Sequence, residues 1–154
     1  PLIFAGLAVA FGISTFLNGK LVMFFGMKKL IIISLISFTF SASVYLLLFL
    51  AQPNPPIEVL CFFLVLEFVS LGFLFGNLKS ISLQPIGHIA GIGAALTGFI
   101  STLFAVPISA FLGSFITDSV YPMFVGFFFC GLFSLFLFFK LNSSNVGFFT
   151  IKKS

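Results

Sequence analysis

One carboxylate lies deep inside an apolar stretch of the sequence. Glu67 stands ten residues into the run 57–83, which at about 1.5 Å per residue is roughly 15 Å, the middle of a hydrocarbon layer of about 30 Å. Acids at such depth usually face a bundle interior or an aqueous cavity, where they relay protons or bind cationic ligands. The alternative is a protonated side chain that hydrogen-bonds a neighbouring helix as a structural contact. The depth and charge of Glu67 favour the functional role.

Further polar residues share one side of the same run. At about 100° per residue they fall in a narrow arc, with Glu67 a short rotation away and Lys79 on the opposite side. Such a stripe predicts a water-lined cavity, in which Glu67, Ser70 and Asn77 are candidate residues of a substrate or proton pathway. Hydrogen bonds between helices are the alternative. The arc contains Ser70, Asn77, Ser80 and Gln84.

Small residues recur at spacings of three and four in the next apolar run. They predict a helix-packing seam, along which a second helix can approach closely, and Pro107 predicts a kink. Such a face suits static packing and also helices that rock against each other, and the spacing does not separate the two. The seam consists of Gly91, Ala95, Gly98, Thr102, Ala105, Ser109 and Gly113.

Other reactive residue types give no catalytic or metal pattern. His88 is the only histidine and has no carboxylate or thiolate at ligand spacing, so we predict neither a metal site nor a cofactor. Cys61 and Cys130 lie in apolar runs and are expected to be reduced packing residues. An intramembrane enzyme using Glu67 and His88 is disfavoured because one lies at mid-depth and the other at the surface. We expect no enzyme activity.

The composition is typical of an integral membrane protein. Hydrophobic residues make up 60% and charged residues 6%, with a mean hydropathy of +1.32, which leaves too little polar surface for a soluble fold. The net charge of +4 comes from seven Lys and no Arg. That small excess fits the distribution of basic residues in membrane loops rather than nucleic-acid binding, which needs a dense basic surface.

Five apolar runs are long enough to cross a bilayer, for which a helix needs about 20 residues. Gly, Pro, Asn and Asp mark the short connections, which predict antiparallel neighbours and no soluble domain. We predict an all-α membrane protein with one transmembrane bundle, residues 1–140, and a cytoplasmic tail, 141–154. We also expect residues upstream of Pro1. The runs are about 2–18, 30–51, 57–83, 88–116 and 122–140.

The lysines predict an orientation. If the loop with Lys20, Lys28 and Lys29 lies in the cytoplasm, alternation of five spans places the other four lysines there too, and Glu58 and Asp118 on the far side. This agreement supports the number of spans and predicts a cytoplasmic C-terminus.

Two segments resemble a known family. Residues 17–30, LNGKLVMFFGMKKL, resemble the loop between the eighth and ninth helices of Bcr/CflA-type drug-resistance transporters of the major facilitator superfamily. Residues 76–113 are similar to the tenth and eleventh helices of that family, and Pro122 and Met123 to the entry of its last helix. The matching positions in 76–113 are Asn77, Pro85, Gly87, His88, Ala90, Gly91, Ala95, Leu96 and Gly98.

The resemblance implies the partial C-terminal half of a twelve-helix transporter, whose partners are the lipid bilayer and the missing N-terminal half. It also implies proton-coupled efflux of a small amphipathic substrate across a bacterial inner membrane, with Asn77 and the Gly91–Gly98 face on the cavity side. A cytoplasmic gating loop would comprise Asn18, Gly19, Lys20, Gly26, Lys28 and Lys29, and a cytoplasmic turn Gln84, Pro85, Gly87 and His88.

Two alternatives remain open. The first is a non-transporting membrane subunit, whose small-residue seam docks a partner helix. The second is a carrier of the same architecture for a metabolite or a sugar.

Overall fold

The described residues of the computed structural model, 1–51, 55–116 and 119–143, form helices and no strand. This confirms the all-α prediction. The elements are α1 (Leu2–Phe25), α2 (Met27–Leu48), α3 (Ile57–Leu83), a short 3-10 helix (Gln84–Ile89), α4 (Ala90–Gly113) and α5 (Tyr121–Ser143).

Four helical segments in the described part of the chain are long and apolar enough to cross a membrane. The third is a helical run of 57 residues that includes α3, the 3-10 helix and α4. These lengths and compositions indicate an integral membrane protein. The segments are Leu2–Phe25, Met27–Leu48, Ile57–Gly113 and Tyr121–Leu141.

The first connection differs from the prediction. α1 continues to Phe25 instead of ending near residue 18, so Asn18, Gly19 and Lys20 are helical and not part of a loop. The apolar residues after Lys20 continue the helix, and the Asn18 side chain is buried against another helix. The chain breaks at Gly26, whose φ of 77° favours glycine because it has no Cβ.

The other boundaries lie close to the predicted ones. α3 matches its predicted range, and α2, α4 and α5 each differ by a few residues at their ends. The predicted turn at 84–88 is a 3-10 helix with a non-helical residue, Ile86 (φ −116°, ψ 31°). Residues 52–54 and 117–118, which belong to two of the predicted connections, and residues 144–154 of the predicted tail lie outside the described residues.

α2 and α3 form the centre of the bundle and run antiparallel. Near the end of α2, the Tyr45 ring packs against Phe63, close to the start of α3, with centroids 5.3 Å apart. Near the start of α2, Leu35 clusters with Leu74, toward the end of α3.

α1 covers the other side of α3 and runs parallel to it. Ser14 lies against Gly72, and Asn18, one turn later, hydrogen-bonds Asn77. The packing order across the bundle is therefore α1, α3, α2 and then α5, which contacts α2 through Phe124.

α5 runs antiparallel to α2, and α4 lies outside this stack. Phe124 stacks on Tyr45 with ring centroids 3.6 Å apart, and Gly131 lies against Thr39. α4 touches the rest of the bundle near its ends, through Gly93 beside the 3-10 helix and Leu112 beside α5.

Two apolar clusters hold the central helices together. The first consists of Ile31, Leu35, Leu74 and Phe138. The second, nearer the start of α3, consists of Ala42, Tyr45, Phe63 and Phe124. Polar residues of α2 and α3 occupy the level between them.

All described lysines lie at one end of the bundle, called here the lysine end. This end contains the Gly26 break, the 3-10 helix and the C-terminus of α5. Glu58, in the first turn of α3, lies at the opposite end. The lysines are Lys20, Lys28, Lys29, Lys79 and Lys140.

This arrangement predicts which positions share a compartment. With Cys61 and Cys130 replaced by Ser, single cysteines introduced as Lys28→Cys and Lys140→Cys should react with a membrane-impermeant maleimide from the same side of sealed vesicles. Glu58→Cys should react from the other side.

Labelling after detergent permeabilisation is the control, because all three cysteines should then react. Reaction of Lys28→Cys and Lys140→Cys from opposite sides would contradict the arrangement.

Candidate functional site at the centre of the bundle

Glu67 lies in the polar level between the two apolar clusters. Its side chain is 0% exposed and faces the α2–α3 interface, where Ser41 of α2 lies beside the carboxyl group. The contact with Ser41 falls outside the geometry of a hydrogen bond. Both carboxyl oxygens and Ser41 Oγ therefore lack a hydrogen-bond partner within the described structure. Unpaired polar groups are uncommon in protein interiors, because each costs free energy when water is excluded.

A second polar contact lies one turn along the same interface. Ser70 Oγ donates to Ser37 Oγ at 3.4 Å, and Ser70 is buried while Ser37 is exposed. Ser37 and Ser41 are four residues apart on α2, and Glu67 and Ser70 three apart on α3, so each pair lies on one face of its helix. The four side chains form a polar layer across α2 and α3.

Asn77 carries a third polar contact, on the α1 side of α3. Its Nδ2 donates to Asn18 Oδ1 at 2.7 Å and to the Phe73 carbonyl oxygen at 3.0 Å. Asn18 Nδ2 donates in return to Asn77 Oδ1 at 3.3 Å. Asn77 is 2% and Asn18 8% exposed, so this amide pair is a buried, reciprocal link between two helices.

Two glycines let α1 approach α3 closely enough for this link. A Cβ at Gly72 would overlap Ser14, and a Cβ at Gly76 would lie 3.1 Å from Asn18 Nδ2. This contact was not among the predictions from the sequence. The signal was present as Gly-x-x-x-Gly at 72–76, a spacing that brings membrane helices together.

The predicted polar stripe divides into two parts. Glu67, Ser70 and Asn77 are buried in helix interfaces, so they do not line an open cavity in this conformation. Ser80 and Gln84 are exposed near the lysine end.

The predicted small-residue seam on α4 is unpacked. Its seven members are all exposed, and the three glycines among them have open space where a Cβ would lie. The close approach in this structure is made by α3 instead. Packing of the α4 face against another helix stays a prediction.

The predicted gating residues occupy two different environments. Asn18 is buried at the α1–α3 contact, whereas Lys20 is exposed, with its Nζ 5.4 Å from the Phe16 ring centroid. Gly26, Lys28 and Lys29 line a cavity of about 450 Å³ together with Gln84. The break at Gly26 therefore lies beside the predicted cytoplasmic turn.

The arrangement limits the chemistry that the site can perform. His88 is exposed on the 3-10 helix and far along the chain from Glu67. No group of three or more His, Cys, Asp or Glu side chains within the described ranges is placed to hold a metal ion. Glu67, a buried acid beside the Ser41 hydroxyl group, is a group that can take up and release a proton.

Comparisons with known proteins give no relative. No family model, curated protein or solved structure matches the chain. The resemblance to Bcr/CflA-type transporters therefore stays a prediction from the sequence.

The close approach at Gly72 predicts sensitivity to one methyl group. Gly72→Ala should destabilise the protein by about 1–3 kcal/mol, because α1 must shift away from the added Cβ. Thermal unfolding in detergent measures this effect. Gly91→Ala is the matched control, since its Cβ meets open space. Equal melting temperatures for the two variants would contradict the close packing.

The amide pair predicts a measurable coupling between α1 and α3. A double-mutant cycle with Asn18→Ala and Asn77→Ala should give a coupling energy of about 0.6–1.7 kcal/mol, the size found for hydrogen bonds between membrane helices. Reversible unfolding in mixed detergent provides the free energies. Additive single effects would show that the two amides do not stabilise each other.

Proposed function

We propose that this chain is part of a membrane secondary transporter that works by alternating access, with Glu67 as its proton-exchanging residue. The observation that carries the proposal is the complete burial of Glu67 at mid-helix without a hydrogen-bond partner in the described structure. An acid kept only for packing would be expected to have its oxygens paired. An acid that must bind and release protons needs an environment that changes between two states.

The α2–α3 interface offers such a change. In the closed arrangement seen here, Glu67 and Ser41 face each other in a buried contact. Separation of α2 from α3 would admit water to the carboxyl group and lower the cost of its charge. In the proposal Glu67 is protonated when this interface is closed and releases the proton when it opens. Ser70 and Asn77 then line the opened cavity.

Five crossings form part of the proposal. A continuous helix of 57 residues would be about 85 Å long, whereas the hydrocarbon layer is about 30 Å thick. The non-helical geometry at Ile86 and Ile89 supports a reversal between α3 and α4, so that each crosses separately.

The lysine end is proposed to face the cytoplasm. Basic residues accumulate in cytoplasmic loops of membrane proteins, and every described lysine is at this end. The C-terminus of α5 then lies in the cytoplasm. The resemblance to Bcr/CflA-type transporters adds a bacterial inner membrane, a small amphipathic substrate, efflux, and an N-terminal half as partner.

A non-transporting subunit is the second candidate. It is favoured by the exposed small-residue seam of α4, which presents a surface on which a partner helix can pack. A subunit of this kind would not require Glu67 to exchange a proton.

The proposal predicts that Glu67→Gln removes the pH dependence of transport. In cells that express the intact protein, efflux of ethidium, a lipophilic cation, is measured across external pH values from mildly acidic to mildly alkaline. Parent-dependent efflux should vary with pH, and Glu67→Gln should abolish that variation because an amide does not ionise in this range.

The control is Glu58→Gln, the same change in an exposed acid on the same helix. It should leave the pH profile as in the parent. If the pH dependence of efflux were unchanged in Glu67→Gln, Glu67 would not take part in the mechanism. If cells retained the same amount of ethidium with and without the protein, the second candidate, a non-transporting subunit, would be favoured.

A further inference from the structure

A groove between α3 and α4 combines a positive charge with apolar walls. Its volume is about 520 Å³. Its polar side chains include Lys79, Ser82 and Thr97, and its apolar ones include Phe75 and Ala105.

The polar and apolar parts follow the depth of the bundle. Lys79 and Ser82 lie in the last part of α3, and Thr97 in the first part of α4, so all three are near the lysine end. Phe75 and Ala105 lie farther from that end along their helices. The groove therefore has its charged side chain near the lysine end and apolar walls farther from it, where Ser101 and Thr102 of α4 also line it.

The charge of Lys79 is not neutralised within the described structure. Lys79 is exposed and makes no ion pair there, and the two described acids are elsewhere. Glu58 is at the opposite end of the bundle, and Glu67 is buried against α2.

The hydroxyl groups that line the groove differ in whether they already donate a hydrogen bond within the protein. Ser82 Oγ donates to the Leu78 carbonyl oxygen, and Thr97 Oγ1 to that of Gly93. Ser101, which also lines the groove, has no such bond in the described structure. Its hydroxyl is free to donate to an oxygen of a ligand.

We propose that this groove binds an anionic phospholipid. The phosphate lies at Lys79, an ester oxygen deeper in the groove accepts a hydrogen bond from Ser101, and an acyl chain runs along Phe75 and Ala105. Basic pockets between membrane helices bind anionic headgroups, and the cytoplasmic leaflet supplies such lipids. A lipid also covers the apolar walls, which free phosphate would leave exposed. The proposal does not depend on transport.

Lipid retention on the full chain tests the proposal. The protein is extracted from vesicles of phosphatidylglycerol and phosphatidylcholine in equal amounts, and native mass spectrometry measures the lipid that stays bound. The parent should retain phosphatidylglycerol preferentially. Lys79→Gln should reduce that retention several-fold without changing retained phosphatidylcholine.

Two further variants separate the groove from the general surface charge. Lys20→Gln removes a lysine from the same end on α1 and should retain phosphatidylglycerol like the parent. Gly98→Leu fills the groove without changing charge, at a position with open space around it, and should lower retention as Lys79→Gln does. Circular dichroism confirms equal helix content.

Three results would overturn the proposal. The first is equal loss in Lys79→Gln and Lys20→Gln, which would indicate surface charge alone. The second is displacement of the lipid by inorganic phosphate at equal concentration, which would indicate a simple anion site. The third is a lipid-free dimer that Gly98→Leu disrupts, which would show that a second copy occupies the groove.

Discussion

The central constraint on this bundle is a buried acid in the polar layer that lies between the two apolar clusters. Glu67 and Ser41 lie at the α2–α3 interface, with Tyr45 and its aromatic neighbours on one side and Leu35 and Leu74 on the other. Because Glu67 is 0% exposed, its carboxyl group must find a partner in the protein or remain without one. Apolar contacts therefore position the helices around Glu67. In the polar layer, the Glu67 carboxyl oxygens and Ser41 Oγ have no hydrogen-bond partner within the described structure.

At the contact between α1 and α3, the buried polar side chains have hydrogen-bond partners. Gly72 and Gly76 let the two backbones approach, and Asn18 and Asn77 then satisfy each other's amide groups. On this side of α3 the buried polar atoms are paired, and on the α2 side those of Glu67 are not. A single helix therefore has one face joined by a reciprocal pair of amide hydrogen bonds, and one face held by apolar packing and the single Ser70–Ser37 hydrogen bond. Opening along the α2 face would break fewer polar contacts than opening along the α1 face.

Sequence reasoning found what depends on composition and depth, and missed what depends on which helices meet. The bounds of α3 and the burial of Glu67 followed from a long apolar run with one acid at its middle. Asn18 was assigned to a loop because Asn and Gly often mark turns, but a partner on α3 buries it inside α1. The small residues of α4 outnumber those of α3, yet Gly72 and Gly76 make the close contact because α1 packs against α3. The regular spacing of small residues along one helix does not specify which other helix packs against it.

The single residue between α1 and α2 limits how these helices can move. Gly26 is the whole connection, its amide still bonds back to Val22, and its carbonyl oxygen accepts from Leu30. Because this connection is a single residue, α1 cannot move along its axis unless the start of α2 moves with it. Tilting about Gly26 is the motion left to α1. Because α1 is joined to α3 by the amide pair, such a tilt would act on α3 as well.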